Sequence, residues 1–114
     1  MTEDKRASLR IERQFVLRVT VDDGNPWSRW SLVMTHDLSV GGALFTIDQD
    51  VTEGQPLYFR LNFPDREIDC RGKVVRLIPG FKKPLTQLAV SFQWANAVDH
   101  DYVKEYTEQL KNSR

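Results

Sequence analysis

The sequence has a single cysteine, Cys70, and two histidines among its 114 residues. A lone thiol cannot form an internal disulfide framework, and the spacing of Cys and His fits no zinc site. No apolar run approaches the roughly 18 residues that a membrane-spanning helix needs. The first ten residues are polar and charged, unlike a signal peptide. We therefore expect a cytoplasmic protein with no membrane span and no metal.

Catalytic groupings are also scarce. His36, Asp37 and Ser39 are the residue types of a hydrolytic triad, but they are almost adjacent in the chain. Neighbours on an extended strand point to opposite faces, so we expect His36 and Asp37 to diverge. Cys70 lies in an alternating strand pattern, which favours a core position over a nucleophile. There is no glycine-rich phosphate loop. The sequence predicts no catalytic residues, and we expect the protein not to be an enzyme.

Charge is balanced overall but not locally. The chain has 16 basic and 16 acidic residues. Residues 5–13 carry four cations and one anion, a net charge of +3: Lys5, Arg6, Arg10, Arg13 and Glu12. A compact basic segment on an otherwise mildly acidic chain suits a small anion better than a long nucleic acid. The alternative at this point is a solvated basic tail.

Apolar residues alternate with polar ones in about six short segments separated by turn residues. The segments lie near 15–21, 30–35, 43–47, 57–63, 68–78 and 88–92. In the second, Trp30, Leu32 and Met34 alternate with residues that include Ser31 and Thr35. Short strands at this spacing are typical of a sandwich or barrel. The phenylalanines on the apolar sides are expected in the core: Phe15, Phe59, Phe63 and Phe92.

The C-terminal segment has a different period. Val98, Tyr102, Tyr106 and Leu110 recur every four residues. This spacing predicts a helix over about 98–111 with one apolar face, which can lie across an open end of a barrel. Asp99 is the predicted N-cap, because its carboxylate can accept a backbone N–H of the first turn.

Two short motifs remain. Arg6 and Arg10 lie four residues apart just before the first strand, and Asp37, Ser39 and Gly42 fit the pattern DxSxxG between the second and third strands. RxxxR followed by [D/N]xSxxG resembles the signature of the PilZ domain. Each motif alone is weak, but both in this order on an all-β pattern with a trailing helix are specific.

The resemblance extends over nearly the whole chain. Residues 72–76 are similar to the fifth strand of that family, and residues 88–92 to its closing strand. The resemblance implies an all-β fold with a C-terminal helix, a six- or seven-stranded antiparallel PilZ-like β-barrel. It also implies that residues 1–13 are a flexible N-terminal arm carrying RxxxR, and that residues 14–114 form the barrel with its helix.

The ligand implied by the resemblance is the bacterial second messenger cyclic di-GMP, with no cofactor. Its implied site is Arg6, Arg10, Asp37, Ser39 and Gly42. Arginine forks onto phosphate oxygens or onto guanine O6 and N7. Asp37 can accept hydrogen bonds from guanine N1–H and N2–H, and Ser39 can donate to a phosphate or base. Gly42 would permit close backbone approach.

Further contacts are possible on the same reasoning. Lys5 stands where the family often has arginine, and Arg13 lies three residues beyond the motif. Gly41 would take the positive φ that the turn needs. Arg18 and Arg76 are on the polar sides of strands and are weaker candidates.

Because the chain is one domain, we expect a partner protein to transmit its signal. We expect a cyclic di-GMP receptor and adaptor whose arm folds onto the barrel, so that an effector protein meets a changed surface. One alternative is a PilZ-like protein–protein adaptor that does not bind nucleotide. A less favoured alternative is a barrel that binds single-stranded nucleic acid; DNA binding is not expected.

Overall fold

A computed structural model describes residues 15–22, 29–80, 82 and 85–112. Its elements are β1 (Val16–Val21), β2 (Ser31–Leu38), β3 (Gly42–Ile47), β4 (Pro56–Phe63), β5 (Arg66–Ile78), β6 (Thr86–Gln93) and the helix α1 (Ala97–Asn112). No helix in the described part of the chain is long and apolar enough to cross a membrane.

The strands close into a barrel in the order β1-β2-β3-β6-β5-β4, and every neighbouring pair is antiparallel. Closure pairs each of these six strands on both sides, so none of the six presents an unpaired edge. The predicted all-β barrel with a C-terminal helix is confirmed, with six strands in the described residues.

The barrel interior is filled by the alternating apolar residues. Phe45 and Phe59 are completely buried and meet edge to face, with ring centroids 6.4 Å apart. The four phenylalanines predicted for the core are all buried. Cys70 is also buried, and desolvation raises the pKa of its thiol to about 12. A thiol in this environment remains protonated at neutral pH, as a core residue would.

Strand β2 buries two polar side chains and exposes two apolar ones. Leu32 and Met34 are 66% and 49% exposed, whereas Ser31 and Thr35 are buried. The two hydroxyls have partners: Thr35 Oγ1 accepts from the Phe15 backbone N–H at 3.2 Å, and Ser31 Oγ accepts from an amide at 3.1 Å. Buried polar groups are tolerated when they are hydrogen-bonded. Leu32 and Met34 therefore lie outside, whereas Val33 and Leu38 lie inside with the two hydroxyl residues.

Helix α1 covers one end of the barrel. Val103 is fully buried, and the rings of Tyr102 and Tyr106 pack edge-on against Phe63 at 5.1 and 4.9 Å. The helix begins one residue earlier and ends one later than predicted.

The N-cap of α1 is Asn96, so the prediction for Asp99 is wrong. Asn96 Oδ1 accepts from the Asp99 backbone N–H at 2.8 Å, and Asn96 Nδ2 donates to the Asp99 carboxylate at 3.3 Å. Asp99 is thus the third helical residue, and its carboxylate accepts from the side-chain amide of the cap. Asparagine and aspartate three residues apart satisfy each other, and the sequence alone does not say which is the cap.

Candidate functional site

The second motif forms the turn between β2 and β3. The Ser39 backbone N–H donates to Gly42 O at 2.9 Å, and the Gly42 N–H donates back to Ser39 O at 3.3 Å. Ser39 Oγ also accepts from the Gly41 N–H at 3.3 Å. The serine side chain therefore stabilises the turn as an acceptor, and its own hydroxyl proton remains available to a ligand.

Strand β6 and the residue after it hold this turn in place. The Phe92 backbone N–H donates to Gly41 O at 3.0 Å, and Trp94 Nε1 donates to Val40 O at 2.8 Å. The Trp94 ring packs against Phe92 with centroids 5.2 Å apart. Sequence reasoning did not find Trp94, because nothing local to either residue signals a contact across 54 positions.

The two glycines of the turn have different surroundings. A Cβ on Gly42 would lie 2.0 Å from Val90 O, so its close approach is to the backbone of β6. Among the described glycines only Gly54 and Gly80 have positive φ. The expectation that Gly41 takes a positive φ is therefore wrong, and the turn needs no left-handed residue there.

A β-bulge in β2 turns Asp37 outward. Thr35 pairs with Phe45 and Asp37 pairs with Leu44, which leaves His36 as the extra residue. Without the bulge, alternation from the buried Thr35 would place Asp37 inside the barrel. His36 and Asp37 are instead both exposed. The expectation that they diverge to opposite faces is wrong, since the bulge adds a residue at this point.

The outward Asp37 has its acceptor oxygens available. It forms no ion pair with any residue of the described ranges. His36 instead contacts Thr46, with 3.3 Å between Nε2 and Oγ1. An exposed carboxylate on a rigid strand can accept two parallel N–H groups, such as those on the Watson–Crick edge of guanine.

The first motif lies outside the described residues, as do the whole predicted arm at 1–13 and four of its cations: Lys5, Arg6, Arg10 and Arg13. The described chain begins at Phe15, beside the second motif. Phe15 O accepts from the Thr35 N–H at 2.8 Å, and Thr35 is two residues before Asp37. Arg10 is five residues before Phe15, a reach of at most about 17 Å. That attachment allows Arg10 to approach Asp37.

Two cavities, of about 380 and 390 Å³, are lined by no residue of the second motif, although the larger one is lined in part by Trp94, which contacts the motif turn. One is next to Trp30 and Leu85, and the other is next to Tyr58 and Arg71. Asp37 and Gly41 are exposed, and Ser39 and Gly42 are half-buried.

Comparison with known proteins agrees with this architecture. The family model of the PilZ domain matches residues 4–109. The PilZ domain of CeSA from a cellulose-synthesizing bacterium is 19% identical, with 86% of this chain and 93% of that chain covered and a TM-score of 0.62. The Bacillus subtilis inhibitor of motility MotI/DgrA is 16% identical, with 89% and 49% covered and a TM-score of 0.68. No curated protein gives a significant match.

Proposed function

Because the chain belongs to the PilZ domain family, a family of cyclic di-GMP receptors, we propose that it binds cyclic di-GMP and acts as an adaptor. The observation that carries the proposal is the outward Asp37 beside the Ser39–Gly42 turn, at the place where the arm joins the barrel. We propose no catalytic step and no cofactor, and we place the protein in the cytoplasm.

The two motifs divide the recognition of the ligand. Asp37 accepts from guanine N1–H and N2–H, which a phosphate-binding group cannot do. Arg6 and Arg10 fork onto phosphate oxygens or onto guanine O6 and N7. Ser39 donates its free hydroxyl proton. The second motif therefore recognises the guanine base, and the first motif neutralises the phosphates.

Binding brings the arm onto the barrel. Lys5, Arg6 and Arg10 repel one another when they are gathered without an anion, and the two phosphates of the ligand remove that repulsion. The ligand thus binds the ordered state of the arm better than the open state, which is the requirement for a population shift.

An effector protein would bind to the surface that movement of the arm changes. The outer surface beside the arm carries the exposed apolar residues Val16, Leu32 and Met34, next to Phe15 where the arm begins. The position of the arm decides how much of this surface is open to a partner. The similarly folded Bacillus subtilis protein is an inhibitor of motility by name, which supports a regulatory role.

Calorimetric titration with cyclic di-GMP tests the proposal. We expect saturable heat with cyclic di-GMP and much weaker heat with cyclic di-AMP, because adenine lacks the N1–H and N2–H donors that Asp37 accepts. The titration also gives the number of ligand molecules bound. Absence of heat with folded protein would reject the receptor function and favour the adaptor that does not bind nucleotide. Salt-sensitive binding to oligonucleotides alone would favour the nucleic-acid barrel.

Replacing Asp37 with alanine is expected to weaken binding and to reduce the preference for guanine over adenine. A site that pairs with a polar edge rejects analogues that lack it, and removal of the acceptor removes that rejection. The measurement is the ratio of Kd values for cyclic di-GMP and cyclic di-AMP. Asp48→Ala is the matched control, since Asp48 follows the far end of β3. An unchanged ratio in the Asp37 variant would remove its base-reading role.

The backbone amides of residues 4–10 are expected to exchange freely without ligand and to gain protection with cyclic di-GMP. Strand β4, Leu57 to Phe63, is the internal control and should change little, because its ladder is complete in both states. Hydrogen exchange with and without ligand measures both segments. Equal protection of the arm in the two states would indicate a preformed site and would exclude the ordering switch.

A further inference from the structure

Ser91 lies on the outer face of β6, directly beside the turn of the second motif. Its strand neighbours Val90 and Phe92 are buried, so the alternation of the strand points the Ser91 side chain outward. Ser91 pairs with Gly42 of β3. Because Gly42 has no side chain, it leaves the half-buried Ser91 uncovered on the side of the turn.

Ser39 flanks Gly42 from the other side. The two residues exchange both backbone hydrogen bonds, at 2.9 and 3.3 Å, so they lie directly opposite each other. Directly paired residues share a face of the sheet. Ser39 and Ser91 therefore lie in one row with Gly42 between them, and their Cα atoms are two strand spacings apart, roughly 10 Å. Each serine is only one strand from β3, so both lie on the same side of the barrel.

The backbone of Ser91 is held closely from both sides. A Cβ on Gly42 would lie 3.3 Å from Ser91 Cα, and a Cβ on Gly72 of β5 would lie 2.1 Å from Ser91 O. Strands β3 and β5 thus approach β6 at this residue to a distance that only glycine allows. The Phe92 N–H also donates to Gly41 O at 3.0 Å. The position of Ser91 relative to the turn is therefore set before a ligand arrives.

The Ser91 hydroxyl forms no hydrogen bond with any residue in the described ranges. Ser39 Oγ accepts from the Gly41 N–H at 3.3 Å and keeps its own proton. A hydroxyl donates one proton and accepts through its lone pairs. Two O–H donors are therefore available to a ligand, one on each side of Gly42.

Two hydroxyl donors on either side of a glycine suit a group with acceptor oxygens close together. A phosphodiester has two unesterified oxygens, and no side chain at Gly42 blocks its approach. The N1–H and N2–H groups of guanine are donors, so they require an acceptor such as Asp37 instead. Hydroxyls are neutral, so they position a phosphate but do not balance its charge. That charge is left to the arginines of the first motif.

We propose that Ser91 is a further ligand-binding residue, whose hydroxyl donates to a phosphate oxygen of cyclic di-GMP above Gly42. Ser39 donates to the same phosphate from the other side of the row. This inference rests on the proposed function and assigns a residue outside both motifs. The barrel thereby holds the phosphate in a fixed place, onto which Arg6 and Arg10 of the arm close.

The test uses the full chain with Ser91→Ala and Ser91→Asp, and the same two changes at Gln87 as controls. Gln87 lies on the same face of β6, about 13 Å from Ser91. Ser91→Ala should raise the Kd for cyclic di-GMP about tenfold, as expected for loss of one hydrogen bond to a charged group. Ser91→Asp should bind more weakly still, because its carboxylate repels the phosphate. Both Gln87 variants should bind like wild type.

The ratio of Kd values for cyclic di-AMP and cyclic di-GMP distinguishes phosphate contact from base recognition. The two ligands have the same phosphates, so Ser91→Ala should weaken both equally and leave the ratio unchanged. If wild type binds cyclic di-GMP and Ser91→Ala binds it equally well, this inference is overturned and the proposed function stands. A changed ratio, an equal loss in the Gln87 variants or a lowered melting temperature of Ser91→Ala also overturns it. No binding by wild type overturns both.

Discussion

Replacing Arg10 with alanine is expected to weaken cyclic di-GMP binding about thirtyfold or more, from the roughly 2–5 kcal/mol that loss of a charge-assisted pair costs. Arg10 supplies a planar, charged fork, which lysine and neutral side chains cannot provide. The chain from Arg10 to Phe15 is long enough to reach that turn, and Phe15 is fixed to β2 through Thr35. The measurement is the Kd by calorimetry.

Two further variants make the Arg10 result specific. Arg10→Lys keeps the charge and should still bind poorly, because an ammonium cannot form the bidentate contact. Lys104→Ala removes an exposed cation of α1 and should bind like wild type. Thermal unfolding of all three should match wild type, since Arg10 belongs to the predicted arm and the control residue is exposed. Wild-type affinity in Arg10→Ala would remove the first motif from the site.

The barrel could be predicted because its strands obey a local rule. Leu57, Phe59, Leu61 and Phe63 alternate with polar residues, and all four are buried. Period-two alternation depends only on strand geometry, so it is visible in sequence. The helix was predicted to within a residue at each end for the same reason, since its four-residue spacing is local.

The prediction that His36 and Asp37 diverge was wrong because it took no account of cross-strand register. In the register of β2 with β1, Val33 points inward together with Ser31 and Thr35, whose hydroxyls are hydrogen-bonded, and Leu32 and Met34 point outward. A bulge is a mismatch between two strands that are distant in sequence, and neither strand carries a local sign of it.

The residues of the candidate site could be predicted from the sequence, but the directions of their side chains could not. Asp37 and Ser39 are recognisable from the motif, whereas the orientation of Asp37 depends on the bulge at His36. Gly42 was expected to permit a close approach of the backbone. In the barrel, the backbone that it approaches closely is that of Val90 in β6. The contact of Trp94 with the turn is tertiary and has no signature within the motif.

Replacing Gly42 with alanine is expected to destabilise the barrel by about 3 kcal/mol or more. The new Cβ would lie 2.0 Å from Val90 O and 3.3 Å from Ser91 Cα. Both are backbone atoms, so no rotamer change relieves the clash. Strands β3 and β6 would have to separate, which loses ladder hydrogen bonds and releases the turn. The melting temperature should fall by about 10 °C or more, with weaker binding of cyclic di-GMP.

The neighbouring glycine is the matched control for Gly42. A Cβ on Gly41 meets only Ser39 Oγ, at the ordinary contact distance of 3.8 Å, and its φ suits alanine. Gly41→Ala should therefore unfold at nearly the wild-type temperature. Thermal unfolding and cyclic di-GMP titration of both variants distinguish a role of Gly42 in strand pairing from a role in ligand access. If Gly42→Ala were as stable as wild type yet failed to bind, the glycine would serve ligand access instead of strand pairing. Stability lost together with affinity, in Gly42→Ala alone, is the result that the contact with Val90 requires.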